Sequence, residues 1–110
     1  MANEEQLAIL RQGVEVWNKW REKNFSTKID LTGSILSGIN LHGVNLNEAN
    51  LSGANLRGSD LSRARLFRNT LTGTNLRSVN LSGVNLISTL LQGQILVAPI
   101  LVRAIFQERV

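Results

Sequence analysis

The chain has 110 residues, of which 43% are hydrophobic, and both values are ordinary for one soluble domain. It contains no cysteine, which excludes disulfides, thiolate zinc sites and a cysteine nucleophile. The formal net charge of +4 would suit an anionic partner. However, five of the twelve basic residues lie within the first 28 residues among four glutamates, a mixture typical of the solvated face of a helix.

The first ten residues, MANEEQLAIL, predict a protein that stays in the cytoplasm. They carry glutamates where a secretory signal would carry basic residues, and they contain no small-residue cleavage site. The most apolar stretch, Ile95 to Val102, is interrupted by Pro99 and is far shorter than the about 20 residues that span a bilayer. We therefore expect no membrane span.

Composition divides the chain into three segments. Residues 1–28 have a helical pattern, residues 29–98 form a repeat, and residues 99–110 are a short apolar tail. Asn3 can cap a helix, and Gln6 at the third helical position completes a capping box. Apolar residues fill one half of the helical wheel, so we predict an amphipathic capping helix followed by a linker over residues 1–28.

Trp17 and Trp20 lie three residues apart on the apolar half of this predicted helix. Two neighbouring tryptophans could form a ligand cage, but at this spacing on an apolar face they are more often part of the core. Gly13 lies on the same half, where the missing side chain would permit close approach to whatever lies beneath.

Leucine recurs at every fifth position from Leu31 to Leu96, and Leu101 continues the spacing. In an α-helix, which turns by about 100° per residue, such leucines would spiral around the whole surface. In a straight strand they would alternate between the two faces. The pattern therefore predicts a chain that bends once in every five residues, so that all leucines point toward a common axis.

The other positions of each five-residue unit support this bend. Glycine is frequent two residues after the leucine, where a turn needs a permissive backbone. Asn or Asp usually precedes the leucine and is expected to face water. Small or β-branched residues stand two positions before the leucine and are expected to fill the interior beside it.

Three segments carry the repeat most clearly: ANLSG at 49–53, ANLRG at 54–58 and VNLSG at 79–83. They resemble the pentapeptide-repeat family, whose unit is a small residue, Asp or Asn, Leu and two variable residues. The resemblance implies an all-β solenoid, a right-handed four-sided β-helix with four pentads in each coil. The fourteen pentads of residues 29–98 would then form about three and a half coils behind the N-terminal capping α-helix.

Both ends of such a coil would expose unpaired backbone, which invites edge-to-edge association unless each end is covered. The N-terminal helix is expected to cover the first coil. At the other end, Leu90, Ile95 and Ile100 stand where the outward Asn or Asp belongs. Residues 99–110, as helix or strand, are therefore expected to form either a C-terminal cap or a homodimer contact.

The sequence singles out no catalytic, cofactor-binding or metal-binding residues. The one histidine, His42, should point outward, and the repeat is not expected to place beside it the partner that a base or metal ligand needs. Glu48 and Asp60 belong to different pentads, with no second pair to form an acid and base system. We therefore predict a protein that is not an enzyme and has no cofactor.

With four pentads in a coil, residues twenty apart should stack on the same side. Phe67 would then stack with Ile87, at an outward position that the pentads up to Gln92 otherwise fill with a polar or charged residue. An exposed aromatic residue among arginines is a common composition for an interface. The candidate protein interface comprises Phe67, Ile87, Arg63, Arg65, Arg68, Arg57 and Arg77. Alternatively, the C-terminal tail folds back over Phe67 and Ile87.

These features favour a small protein-interaction module with an unidentified protein partner. The alternative comes from the resemblance, since some pentapeptide-repeat proteins mimic duplex DNA and bind type II topoisomerases such as gyrase. The charge of the repeat and the small number of predicted coils disfavour this DNA-mimic function. DNA carries a dense negative charge, whereas the repeat carries five arginines and only three acidic residues, Asp30, Glu48 and Asp60. Direct nucleic-acid binding would suit the arginines but is disfavoured because the repeat lacks the interleaved aromatic residues of a stacking platform.

Overall fold

The computed structural model describes residues 1–84 and 86. Its elements in chain order are helix α1 (Glu4–Leu10), helix α2 (Val14–Lys23), and the short strands β1 (Ile29–Asp30) and β2 (Ala49–Asn50). The predicted tail at 99–110 and the last predicted pentads lie outside the described residues. The coil number, the C-terminal cap and the homodimer contact therefore stay predictions.

The N-terminal segment forms two helices where the sequence pattern indicated one. The side chain of Asn3 accepts a hydrogen bond from the Gln6 amide at 3.0 Å, which caps α1 as the sequence predicted. The predicted capping box does not form, because the Gln6 side chain instead donates to the Lys28 carbonyl at 2.8 Å and accepts from the Asp30 amide at 2.9 Å. The chain leaves this helix and enters the next at Gly13, whose φ of +117° is a conformation that L side chains rarely adopt. A Cβ at Gly13 would meet no atom within 4 Å, so glycine is needed here for its backbone conformation and not for close approach.

The leucines share one interior, as their spacing predicted. From Leu31 to Leu86 the repeat leucines are only 0 to 4% exposed. The residues two positions before them are also buried, except for Ile39, which is partly buried. Each pentad therefore contributes two side chains to the core, and the remaining three positions form the surface.

A tight turn bends the chain in each pentad that the structure describes as far as Val84. In the pentad of Leu51, the amide of Ala54 donates to the Leu51 carbonyl at 2.9 Å. Gly53, the second central residue of this turn, has a φ of +70°. A positive φ at that residue alone is the geometry of a type II turn, which explains why glycine recurs two residues after the leucine.

Successive coils pair in parallel with an offset of twenty residues. Ile29 and Asp30 pair with Ala49 and Asn50, and single bridges with the same offset continue as far as Asp60 with Asn80. The strands are only two residues long because the turn in each pentad leaves one or two residues free to pair. This pairing is that of a β-solenoid with little regular sheet, and its handedness stays a prediction.

Candidate protein-interaction surface

The outward residues of the pentads 44–48 and 64–68 form one continuous surface, which we call the Phe67 face. It consists of Asn45, Asn47, Glu48, Arg65, Phe67 and Arg68. The Phe67 amide donates to the side chain of Asn47 at 2.9 Å, and the Glu48 amide donates to the Phe67 carbonyl at 2.7 Å. These bonds hold the two pentads in register, one coil above the other.

An aromatic ring and a guanidinium group meet on this face. The Phe67 side chain is 40% exposed. The guanidinium carbon of Arg68 lies 5.4 Å from the centroid of the Phe67 ring, within the range of a cation–π interaction. Asn47, Arg65, Leu66 and Phe67 line a surface cavity of about 350 Å³ beside the ring. An apolar side chain of a partner could enter this cavity while a carboxylate meets the arginines.

On the Phe67 face, the residue two positions after each leucine is charged, whereas most other pentads have glycine there. Glu48 and Arg68 have φ values of 63° and 57°. This left-handed conformation costs a residue with a side chain about 1–2 kcal/mol. The pentads of Leu31, Leu51 and Leu71, on the neighbouring side, all have glycine at the same position. The Phe67 face therefore keeps its charged side chains in spite of a conformational cost.

The structure brings together only part of the predicted interface. Arg65 and Arg68 share the Phe67 face, whereas Arg63 belongs to the preceding pentad and its Cγ atom lies over Gly83. Arg57 and Arg77 lie ten residues before and after Phe67, which is half of the twenty-residue coil, so they occupy the opposite side. Ile87 and its predicted stacking on Phe67 lie outside the described residues.

A hydrogen-bonded chain joins two coils beside Arg63. The Ser62 hydroxyl donates to the Asp60 carboxylate at 2.5 Å, and Nδ1 of His42 lies 2.8 Å from the same hydroxyl oxygen. The fold thus does place a partner beside His42, contrary to the sequence-based expectation. Because Ser62 gives its proton to Asp60, His42 must be the donor to Ser62, which is the reverse of what activation of a serine nucleophile requires.

Hydrogen bonds hold the pKa values of Asp30 and Asp60 below their ordinary range. For Asp60 the largest cause is the bond from the Ser62 hydroxyl, followed by the bond from the Ser62 amide. For Asp30 the amide of Thr32 has the largest effect and its hydroxyl the next largest. Burial raises both pKa values by a smaller amount. Both groups are therefore favoured as carboxylates by local bonds and not by an acid and base pair.

The Asn residues before the leucines have a role that the sequence reasoning missed. Their side chains accept a hydrogen bond from the amide two residues later, as in Asn55 with Arg57 at 3.0 Å and Asn75 with Arg77 at 3.0 Å. This Asx turn fixes the start of each bend. The sequence does contain a signal for this turn, because Asn or Asp recurs three residues before the glycine of the pentads.

The N-terminal segment bonds to backbone groups of the first coil. Within the solenoid, a leucine amide donates to the carbonyl of the residue that precedes the leucine one coil later. No earlier coil supplies this donor to the residues at the start of the repeat. Instead, the Asn3 amide donates to the Asp30 carbonyl at 2.8 Å, and the Arg11 guanidinium donates to the Ile35 carbonyl at 2.9 Å.

Helix α2 supplies similar bonds on the Phe67 face. The indole Nε1 of the fully buried Trp17 donates to the Asn45 carbonyl at 2.7 Å, and the Asn45 amide donates to the side chain of Asn18 at 2.8 Å. Trp17 thus belongs to the core, as its place on the predicted apolar face indicated. The Trp20 ring lies 5.1 Å from it and is partly buried.

Metal sites and membrane spans are not found in the part of the chain that the structure describes. Within residues 1–84 and 86, no three His, Asp or Glu side chains come together in a way that could hold a metal ion. Over the same range, neither helix has the length and apolar character that crossing a bilayer requires.

Comparisons with known proteins agree with the repeat register. A family model described as pentapeptide repeats matches residues 27–63 and 62–93. A pentapeptide repeat protein from the Arabidopsis thaliana thylakoid lumen is 26% identical, with a TM-score of 0.47, over 70% of this chain and 57% of that one. Curated protein sequences include none that matches significantly.

Two further solved structures are also similar to this chain. The pentapeptide repeat protein Rfr23 from Cyanothece 51142 is 28% identical, with a TM-score of 0.37, over 62% of this chain and 60% of that one. A pentapeptide repeat protein from Nostoc Pcc 7120 is 36% identical, with a TM-score of 0.24, over 57% of this chain and 60% of that one. The chain thus spans less than two thirds of each of the three structures.

Proposed function

This chain belongs to the pentapeptide-repeat family, and on that premise we propose that it is a non-enzymatic module that binds another protein through its Phe67 face. The observation that carries the proposal is the exposed Phe67 ring beneath the Arg68 guanidinium. Aromatic residues and arginines are enriched at protein interfaces and dominate their binding energy. The turn residues Glu48 and Arg68 add two charged side chains to the same face.

The N-terminal segment acts as a cap in this proposal. Its hydrogen bonds to Asp30, Ile35 and Asn45 occupy backbone groups that could otherwise pair with another chain. Capping that end leaves the sides of the coil, and not its N-terminal edge, as the surface for a partner. A single column then presents the Phe67 face as a rigid platform.

The experiment that tests this function is affinity capture from a lysate of the source cell. The bait is the natural chain, a Phe67→Ser variant or an Ile35→Ser variant. Ile35 is a matched control because it is an apolar residue that is 65% exposed and lies half a coil away from the Phe67 face. Circular dichroism checks that each variant is folded.

A binding protein retained by the natural chain and by Ile35→Ser, and lost with the folded Phe67→Ser variant, is the expected result. Loss of the same protein with both variants would indicate general adhesion through apolar side chains. Equal retention by all three baits would remove the Phe67 face as the interface.

The surface offers no support for the alternative of a DNA mimic that binds gyrase. The repeat has five arginines, and two of its three acidic residues, Asp30 and Asp60, use their carboxylates in local bonds to Thr32 and Ser62. A dense row of free carboxylates would be needed to imitate the DNA backbone. A cytoplasmic location and the lack of a cofactor remain predictions.

A further inference from the structure

A second exposed phenylalanine lies next to the Phe67 face, although the sequence pattern gave no reason to connect the two. Phe25 belongs to the loop between α2 and β1 and is 73% exposed. The neighbouring loop residues Ser26, Thr27 and Lys28 line one surface cavity together with Glu48 of the Phe67 face. The loop that carries Phe25 therefore continues the face toward the N-terminal end of the coil.

The buried residue Arg21 holds this loop in place. Its Nη1 donates to the carbonyls of Asn24 at 2.5 Å and Thr27 at 3.0 Å, which flank Phe25 on both sides. Its Nη2 donates to the Asn47 carbonyl at 3.4 Å. Arg21 is only 5% exposed, so the guanidinium is a fixed part of the structure and not a mobile surface charge. Arg21 is thus a positioning residue that fastens the Phe25 loop to the Phe67 face.

The two rings lie in layers that an extended peptide could reach together. The Phe25 loop contacts the Asn47 layer through Arg21, and Phe67 lies in the next layer below, bonded to the Asn47 side chain. The loop leads into β1, which pairs with β2 one layer below, so the loop lies one layer above Asn47 and two layers above Phe67. Two layer spacings of about 4.8 Å place the loop and Phe67 about 10 Å apart along the column. That distance matches about three residues of extended chain, at about 3.3 Å per residue.

The surroundings of the two rings are mainly positive. Lys23 and Lys28 are exposed near the Phe25 loop, and Arg65 and Arg68 are exposed near Phe67. The opposing charges in this region come from Glu22 and Glu48. An acidic partner would therefore gain favourable interactions at both ends of the surface, whereas a basic partner would be repelled.

We propose that the Phe25 loop and the Phe67 face together bind an extended acidic segment of a partner protein, which places two apolar side chains about three residues apart on Phe25 and Phe67. The inference rests on the proposed function and specifies its partner. Protein is favoured over single-stranded nucleic acid because Glu48 of the Phe67 face lines a cavity with the residues that follow Phe25, and its carboxylate would repel a phosphate backbone there.

Selection from a library tests this inference without knowledge of the natural partner. The full chain is used to select from random displayed peptides of about 12 residues, which reach about 40 Å when extended. The expected peptides are rich in Asp and Glu and carry two bulky apolar residues two to four positions apart. Fluorescence anisotropy then measures the affinity of one selected peptide for the natural chain and for its variants.

Five single variants, of which two are controls, locate the peptide on the surface. Phe25→Ser, Phe67→Ser and Arg65→Glu are each expected to weaken binding by about tenfold or more. Ile35→Ser and Arg57→Glu are matched controls on the opposite side and should change the affinity by less than about twofold. Both phenylalanines are exposed, so their serine variants should fold, which circular dichroism checks.

The outcomes separate this inference from the proposed function. A loss with Phe67→Ser but not with Phe25→Ser would overturn the two-ring surface and leave the Phe67 face as an interface. Failure to enrich acidic peptides would overturn the partner chemistry. A single-stranded oligothymidine that binds the chain and is released by both serine variants would also overturn it, in favour of nucleic acid. Peptides that bind equally to every variant would contradict both proposals.

Discussion

The interior position two residues before each leucine shows how one hydroxyl can either stabilise or destabilise the coil. Ser34 and Ser59 occupy this position in different pentads, and both are buried. The Ser34 hydroxyl donates to the Leu31 carbonyl at 2.7 Å. The Ser59 hydroxyl has no hydrogen-bond partner among the described residues. Ala54 and Ala64 are buried at the same position of their pentads, so an alanine in place of Ser34 or Ser59 should fit without changing the packing.

Ser59→Ala is therefore expected to raise the free energy of unfolding by about 1 kcal/mol, because it removes a buried polar group that lacks a partner. Ser34→Ala is the matched control and should lower it by a similar amount, since a satisfied hydrogen bond is lost. Urea unfolding followed by circular dichroism measures both. A lower stability for Ser59→Ala would mean that its hydroxyl has a partner after all.

The Asp60 carboxylate makes the stability depend on pH. Its pKa is lowered in the folded chain, mainly by the Ser62 hydroxyl, so the carboxylate stabilises the fold above its ordinary value of 3.8. That contribution decreases once the pH falls below 3.8, the ordinary pKa of the group in the unfolded chain. It is lost when the pH has also fallen below the lowered pKa of the folded chain. Asn80 makes the same two bonds to Ser82 without a charge, which makes Asp60→Asn a suitable comparison.

We expect the natural chain to lose more stability than Asp60→Asn when the pH is lowered from 7 to below the ordinary Asp value of 3.8. Between pH 5 and 7 Asp60 stays ionised in both the folded and the unfolded chain, so its own titration adds nothing to the difference between the two proteins there. Urea unfolding across this pH range provides the measurement. Asp30 is present in both proteins, so its own titration cancels. A difference that does not change with pH would show that Asp60 does not contribute.

At the scale of the elements, one of the hydrogen bonds that dock helix α2 comes from a fully buried indole. Trp17 is fully buried and its Nε1 bonds to the Asn45 carbonyl, whereas Trp20 is only partly buried. The same substitution at the two positions therefore separates the effect of the bond from the general effect of a smaller ring.

Trp17→Phe is expected to lower the free energy of unfolding by about 2 kcal/mol or more, because it leaves the Asn45 carbonyl without its donor and creates a small cavity. Trp20→Phe should cost less than about 1 kcal/mol. Thermal or urea unfolding by circular dichroism compares the two. Equal effects would indicate that the indole bond does not fasten the helix.

At the scale of the whole molecule, the ends of the coil decide whether the protein stays a single column. The proposed cap occupies backbone groups of the first coil. Exposed groups of this kind pair readily with another strand edge. Removal of the cap should therefore change the association state as well as the stability.

A chain that lacks residues 1–28 is expected to self-associate at concentrations where the full chain does not. Sedimentation velocity over a range of concentrations provides the measurement, with the full chain as the control. Circular dichroism reports whether the repeat is still folded. A folded and monomeric truncated chain would contradict the role of the N-terminal segment as a cap.

Much of the fold follows from local chemistry that the sequence displays directly. The leucine spacing predicted a shared interior, and the glycines predicted where the chain turns, because each pentad repeats the same short-range bend. The capping residue Asn3 and the core residue Trp17 were also identified from local patterns. The side chains of Phe67, Arg65 and Arg68 were expected on one surface, because residues in adjoining positions of one pentad must lie together.

Other features depend on contacts between distant segments, which no local pattern encodes. The docked Arg21 brings the Phe25 loop to Asn47, and the parallel pairing of coils brings Ser62 to His42. Arg57 and Arg77 were grouped with Phe67 by composition, yet half a coil separates them from it. Local sequence specifies whether a side chain points inward or outward, since each turn sets that direction. Only the tertiary structure decides which outward side chains become neighbours, because that depends on the coil register and on how the helices dock.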